Sequence, residues 1–336
     1  MDLTFTSLQN ETTSQNQLDA SYFLKLASVL VIVGAVWFGT NLFKDDASPA
    51  RNEMAASNAP EQSIYLGAVL PVAQNAFLMP VSDPFSPIRR WNVPEPELTA
   101  QSVYVLDTDS NKILLQKEPQ AIRPIASLSK LVTALVVMDR ANLKDEITIT
   151  KNAVDTEGET GGLVAGETLT IESFLWIMLS ESSNDAAVAL AEKFNGRFME
   201  FMNKKADDIG LLATRFSDPS GLAIENVSTA KDVARIMREV IKYPLLNYIM
   251  QTPEADIASS DGKFTHHLAN TNKLLAKYPE IIAGKTGYID EAGNCMVVAT
   301  KPPNGRGVIV SVILGSQDKL GEMDKLLGWE KEGFLW

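Results

Sequence analysis

Ala126-Ser127-Leu128-Ser129-Lys130-Leu131-Val132-Thr133-Ala134-Leu135-Val136-Val137-Met138 is apolar at almost every position, with one lysine set into it. The run from Ser127 to about Met138 predicts a helix, opened shortly after Pro124. Leu128, Leu131, Val132, Leu135, Val136, Val137 and Met138 leave it almost no polar face. Such a helix is buried nearly all round, so other elements must pack on every side of it. Lys130 is then the anomaly, because lysine is almost never fully buried without a partner. It lies one turn after Ser127 on the same face. The plainer reading makes Lys130 part of a small exposed stripe and Ser127 only an N-cap.

Two further short motifs weigh between these readings. Ser182-Ser183-Asn184 falls between two helical patterns, after Leu179-Ser180-Glu181 and before Asp185-Ala186-Ala187. By itself it is equally a helix-to-helix cap. Lys285-Thr286-Gly287 follows the apolar run Ile281-Ile282-Ala283, which predicts an edge strand, with Gly287 leaving room for a ligand backbone. A bare Lys-Thr-Gly is also a common surface turn. Together the three supply a nucleophile, a base, a second hydroxyl, an amide and a cationic anchor. A lysine desolvated beside a second cation loses proton affinity, so Lys130 can take the hydroxyl proton of Ser127. Ser182 relays a proton to or from a leaving group, and Asn184 donates to a substrate amide. The set points to serine acyl transfer without histidine.

Composition removes the competitors. The two histidines, His266 and His267, are adjacent in a polar stretch, and no Gly-x-Ser-x-Gly elbow occurs, so a Ser-His-Asp hydrolase has little support. The lone Cys295 can form no intramolecular disulfide, has no metal-ligand cluster near it in sequence, and reads as a buried structural thiol. A net charge of -12 argues against a nucleic-acid partner.

The chain divides into four stretches. Residues 1–21 are polar and carry no Lys or Arg. Residues 22–43 predict one membrane-spanning helix, since Leu26 to Phe43 is uncharged and near the length that crosses a bilayer. The long acidic start favours a retained anchor, although Ser48-Pro49-Ala50 also offers a signal-peptidase spacing. Lys25, Lys44 and Arg51 do not settle its orientation. Residues 44–97, rich in proline and alanine, predict an extended tether. Ile64 to Val81 is only mildly apolar and is broken by Pro71, Gln74, Asn75 and Pro80, which argues against a second crossing. From residue 98 to 336 the pattern is globular. Ser102 to Leu106 and Lys112 to Leu115 predict a strand pair. Helices are expected over Ile171 to Leu179, Asn184 to Phe194, Arg197 to Ile209 and Ala230 to Tyr243, the last closed by Pro244. Strands return at Cys295 to Thr300 and Gly307 to Leu314, and a helix from Lys319 to about Trp329 ends the chain. Strands at both ends of a helical middle imply a sheet assembled from distant segments.

With these residues in view, the chain resembles the penicillin-recognising serine enzymes, and within them the D-alanyl-D-alanine carboxypeptidases. Matching segments include Ala126 to Leu131, Ser183 to Ala186, Phe216 to Leu222, Asn270 to Leu275, Gly284 to Tyr288 and Ala292 to Cys295. The resemblance implies an α+β fold of the β-lactamase and transpeptidase kind: an antiparallel sheet flanked by helices, with an all-helical subdomain. It implies that Ser127 forms an acyl-enzyme with Lys130 as base, assisted by Ser182 and Asn184, while Lys285 and Thr286 hold the substrate carboxylate. Backbone N–H groups of Ser127 and Tyr288 would form the oxyanion hole. Peptidoglycan stem peptides are the implied substrates and β-lactams the implied acylating inhibitors, with no metal or organic cofactor. A single-pass membrane protein follows, its catalytic domain extracytoplasmic and residues 1–21 a cytoplasmic tail.

Ile289 stands where a threonine often follows the Lys-Thr-Gly-Tyr-like run, so contacts beyond the anchor are expected to differ. The extra β-rich domain and C-terminal amphipathic anchor of many relatives are not expected here, the N-terminal helix taking the anchor's place. Endopeptidase action on cross-linked peptides would use the same site. A class A β-lactamase needs a Glu-x-x-Leu-Asn segment, and the comparable Tyr243-Pro244-Leu245-Leu246-Asn247 has tyrosine in the glutamate position. A non-catalytic wall-binding protein is the remaining alternative, and the intact set of Ser127, Lys130, Ser182, Asn184 and Lys285 argues against it.

Overall fold

The computed structural model describes residues 86–158 and 161–336. The expected anchor at residues 22–43 and most of the expected tether lie outside them. Among the described residues, no helix is long and apolar enough to cross a membrane.

Five strands form the central sheet: β1 (Ser102–Asp107), β2 (Ile113–Lys117), β3 (Ile281–Ile289), β4 (Gly293–Thr300) and β5 (Ile309–Ser316). Their spatial order is β3-β4-β5-β1-β2, with every pair antiparallel. The two ends of the globular region therefore meet at the β5–β1 ladder, where Val312 faces Tyr104. Side chains alternate across the pleat, as the two-residue period demands. Tyr104, Leu106, Cys295, Val297, Val310 and Val312 enter the larger core, while Val103, Val105, Met296, Val298, Ile309 and Ile313 enter a smaller one. Both faces are covered, so strands at both ends of the chain read as apolar runs.

Seven helices of eight or more residues accompany the sheet among the described residues: α1 (Lys130–Arg140), α2 (Ile171–Ser180), α3 (Asn184–Glu192), α4 (Phe198–Asp208), α5 (Ala230–Val240), α6 (Pro244–Gln251) and α7 (Lys319–Glu332). α7 covers the smaller core through Met323, Leu326, Leu327 and Trp329, and α5 covers the opposite face through Val233, Ile236 and Met237. α1 lies deepest. Every residue from Lys130 to Val137 is buried, as its unbroken apolar pattern requires. Thr170, Ser183, Thr229 and Asp318 cap α2, α3, α5 and α7, each accepting a backbone N–H three residues on. Gly196 and Gly210 take positive φ (76° and 74°) just beyond α3 and at the end of α4, as their C-terminal placement predicts.

Three expectations need correction. The helix does not open at Ser127: Ala126–Ser129 is a 3₁₀ turn, and the α-helix begins at Lys130. Pro244 does not merely end a helix. α5 stops at Val240 and Pro244 starts α6, because proline fits the first helical turn, where its missing N–H costs nothing. The last part of the expected tether is folded onto the domain. Ile88–Arg89 pairs with Phe334–Leu335, and the Arg89 guanidinium sits 4.9 Å over the Trp329 ring. Cation–π stacking and strand pairing outweigh the local proline content there.

Candidate active site

Ser127 owes its position to a tight turn. Ala126 has φ +49°, a conformation alanine rarely adopts, and the Ser129 hydroxyl donates to the Ala126 carbonyl at 2.9 Å. Strain of this kind costs about 1–3 kcal/mol and persists only where neighbours impose it. Gly221 is such a neighbour. A Cβ added there would lie 2.1 Å from the Ala126 oxygen and 2.8 Å from the Ser127 nitrogen, at φ +93°. Gly221→Ala is therefore expected to destabilise the protein by about 3 kcal/mol or more. Thermal unfolding measures it, and an unchanged melting temperature would refute the packing argument.

Lys130 is fully buried. Its Nζ lies 2.9 Å from Ser127 Oγ, 2.7 Å from Asn184 Oδ1 and 2.7 Å from the Ser220 carbonyl oxygen. The Asn184 amide is oriented by its other end, since Nδ2 donates to the Glu157 carbonyl at 2.8 Å. The second motif thus divides its labour. Ser183 is the helix cap, accepting from Ala186 N at 3.0 Å, whereas Asn184 turns its side chain to the lysine. Ser182, at φ +67° and almost fully buried, lines the cleft beside Ser127.

β3 is the edge strand of the sheet, and it runs against the nucleophile turn. A Cβ on Gly287 would lie 3.1 Å from the Ser127 nitrogen and 3.2 Å from the Ile125 oxygen, so any larger residue would crowd Ser127. Lys285 is fully buried, and its ammonium donates to the Thr286 carbonyl at 2.9 Å. The Thr286 hydroxyl donates to Thr271 Oγ1 at 2.8 Å. Tyr288 is half-exposed and donates to Asp290 Oδ1 at 2.7 Å, which holds its phenol above the usual range. Ser127, Ser182, Thr286, Gly287 and Tyr288 line one cleft of about 340 Å³ together with Thr271, Lys273, Lys319 and Leu320. Opposite Gly287 on β4, burial pushes the Cys295 thiol up to about 11, which keeps it protonated and inert.

A family model described as D-alanyl-D-alanine carboxypeptidase matches residues 90–318, across all three motifs. The chain belongs to that family. Curated relatives include a D-alanyl-D-alanine endopeptidase of Pseudomonas aeruginosa, 33% identical over 70% of this chain and 79% of the relative. A D-alanyl-D-alanine carboxypeptidase of Bacillus subtilis is 34% identical over 63% of this chain and 56% of its own length. Among solved structures, the Streptomyces K15 DD-transpeptidase aligns with a TM-score of 0.66 at 26% identity, covering 71% of this chain and 99% of that one. Family membership makes the protein a serine DD-peptidase, a hydrolase of the penicillin-binding type with a mixed α/β fold.

Of the eight residues singled out from the sequence, Ser127, Ser182, Thr286, Gly287 and Tyr288 line this cleft. Behind it Lys130 is hydrogen-bonded to both Ser127 and Asn184, and Lys285 is buried on β3 beside Thr286. Four lining residues were missed. Thr271 and Lys273 fall in Asn270-Thr271-Asn272-Lys273-Leu274-Leu275, a segment noted only as a match, and the polar run just before β3 was the available signal. Lys319 and Leu320 open α7, and nothing local marks them. The Ser220 carbonyl is a backbone group, which no residue type announces.

Proposed function

We propose that this serine DD-peptidase acts as a D-alanyl-D-alanine carboxypeptidase, removing the terminal D-alanine from peptidoglycan stem peptides. The observation that carries the mechanism is the arrangement around Lys130. A neutral amine has two N–H groups and one lone pair. Asn184 Oδ1 and the Ser220 carbonyl can only accept, so they take the two N–H groups and leave the lone pair facing Ser127 Oγ. Full burial opposes the ammonium form, and a second buried lysine, Lys285, sits on β3 next to the cleft-lining Thr286. Lys130 therefore takes the Ser127 proton as Oγ attacks the carbonyl carbon.

The substrate lies along β3 as an added strand, its carboxylate held by Lys285 and Thr286. The developing oxyanion sits at the backbone N–H groups of Ser127 and Tyr288, and the bare Gly287 leaves it space. Ser182 passes a proton to the departing amine, after which water attacks the Ser127 ester and releases the shortened peptide. β-Lactams enter the same first step and remain attached. We place the protein on the cell membrane through the apolar stretch at residues 22–43, with the catalytic domain on the extracytoplasmic side, a placement supported by the uncharged run from Leu26 to Phe43.

A second reading, endopeptidase action on cross-linked peptides, is favoured by one observation. Relatives from Pseudomonas aeruginosa and Escherichia coli, 33% and 31% identical to this chain, are named endopeptidases. A β-lactamase is disfavoured: Tyr243 donates to Asp139 and Asn247 donates to the Ile241 carbonyl, and neither lines the cleft. Mass spectrometry of products from uncross-linked and cross-linked wall fragments tests the reading. Free D-alanine from uncross-linked stems is the expected result. Cleavage of cross-links alone would replace it with the endopeptidase reading, and no cleavage of either substrate would overturn both.

A further inference from the structure

We infer that Asp218 is a positioning residue for the base, acting through the Ser220 carbonyl; the inference rests on Lys130 being that base. Two of the oxygens around Lys130 Nζ come from the Ser127 and Asn184 side chains, but the third comes from a loop outside the three motifs. A backbone carbonyl is only as well placed as its loop, and here one carboxylate organises the loop. Asp218 Oδ1 accepts from Ser220 N (2.6 Å), Ser220 Oγ (2.6 Å) and Gly221 N (2.7 Å), and Oδ2 accepts from Ala223 N (2.8 Å). These bonds flank the Ser220 carbonyl and fix the peptide plane that carries it.

The loop is also tied to the nucleophile turn. Asn226 Oδ1 accepts from Ser217 N at 2.7 Å and Asp218 N at 3.2 Å. Its Nδ2 donates to Ser129 Oγ at 3.1 Å and to the Asp218 carbonyl at 2.9 Å. Thr133, one turn after Lys130, donates to the Pro219 carbonyl at 2.6 Å. α1 thus grips two successive carbonyls of a loop whose shape Asp218 sets. Without that carboxylate the peptide at Ser220 is free to rotate, the amine loses one acceptor, and its lone pair is no longer held toward Ser127. The carboxylate-holding groups on β3 belong to other elements and keep their places.

The test measures fluorescent-penicillin acylation by the full chain, separating the acylation rate constant from the dissociation constant of the preceding noncovalent complex. Asp218→Ala is expected to slow acylation by about 10²-fold with noncovalent affinity unchanged, the loss typical of a base displaced by about 1 Å. Asp218→Asn keeps the Oδ1 acceptor and loses only the bond from Ala223, so its acylation slows by about three- to tenfold. An Ala variant acylating at the parental rate overturns the inference, as does an Asn variant that falls as far as the Ala variant. Should Asp218→Ala fail to fold, Asp218→Asn decides: unchanged acylation, or a loss confined to noncovalent affinity, overturns it. Lys130→Ala run in parallel separates the two readings. Parental labelling there breaks the assignment of the base, whereas loss there with unimpaired Asp218→Ala sinks only the role of Asp218.

Discussion

Lys130→Ala slows acylation by fluorescent penicillin and release of D-alanine by about 10²–10⁴-fold, the range of a positioned general base, and Ser127→Ala takes no label at all. The loss amounts to about 3–5 kcal/mol of transition-state stabilisation. It should appear in the acylation rate constant rather than in noncovalent affinity, because Lys285 and Thr286 reside on β3 and Lys130 on α1. The direction follows from the geometry. With the amine gone, the Ser127 hydroxyl loses the group 2.9 Å away that can take its proton, and a bare hydroxyl is a weak nucleophile near neutral pH. Labelling of the Ser127 variant would move the nucleophile elsewhere. An unchanged rate in the Lys130 variant would mean that another group accepts the proton.

Much of this was legible because burial and chemistry left separate marks in the residues. The continuous apolar run around Lys130 required a helix enclosed on all sides, and α1 is one. Ser102 to Leu106 read as a strand from their apolar run, and Val103 and Val105 alternate with Tyr104 and Leu106 between two cores. The motif residues stood out as polar groups in places where polar groups are costly. What escaped has equally physical reasons. The hairpin of Glu254–Ala258 and Thr265–Ala269 fully buries only Leu268, and its alternation, Glu-Ala-Asp-Ile, is too short and too weakly apolar to have marked it. Ser182-Ser183-Asn184 left cap and catalyst undivided, because serine and asparagine serve equally in either role until the helix axis is known. Thr271 accepts from Thr286 across 15 residues of chain from a segment outside the sheet, a juxtaposition set by tertiary packing alone.

Glu330→Gln should raise the thermal stability of the protein near pH 8 and remove a stability loss that the parent suffers as pH rises from about 4.5 to about 8. Glu330 lies on α7, fully buried, and accepts from the Ser311 hydroxyl at 2.5 Å. Burial pushes its carboxyl up to about 8 from the ordinary 4.5, the Ser311 hydrogen bond offsetting only part of that. In this window the folded chain keeps a proton that the unfolded chain has released. Since stability changes with pH in proportion to the protons bound by the unfolded chain minus those bound by the folded one, it falls with rising pH. Across the window the loss is on the order of 5 kcal/mol, and above about 8 both states are ionised and the slope vanishes. The neighbouring Lys331–Glu280 ion pair lines the same small cavity and is left intact by the substitution. Glutamine keeps the shape and an acceptor for Ser311 but has no proton to lose. Melting curves at pH 5 and pH 8 should therefore draw apart for the parent by about 10 °C more than for the variant. Parallel curves would show that this carboxyl ionises in the folded protein much as it does in water.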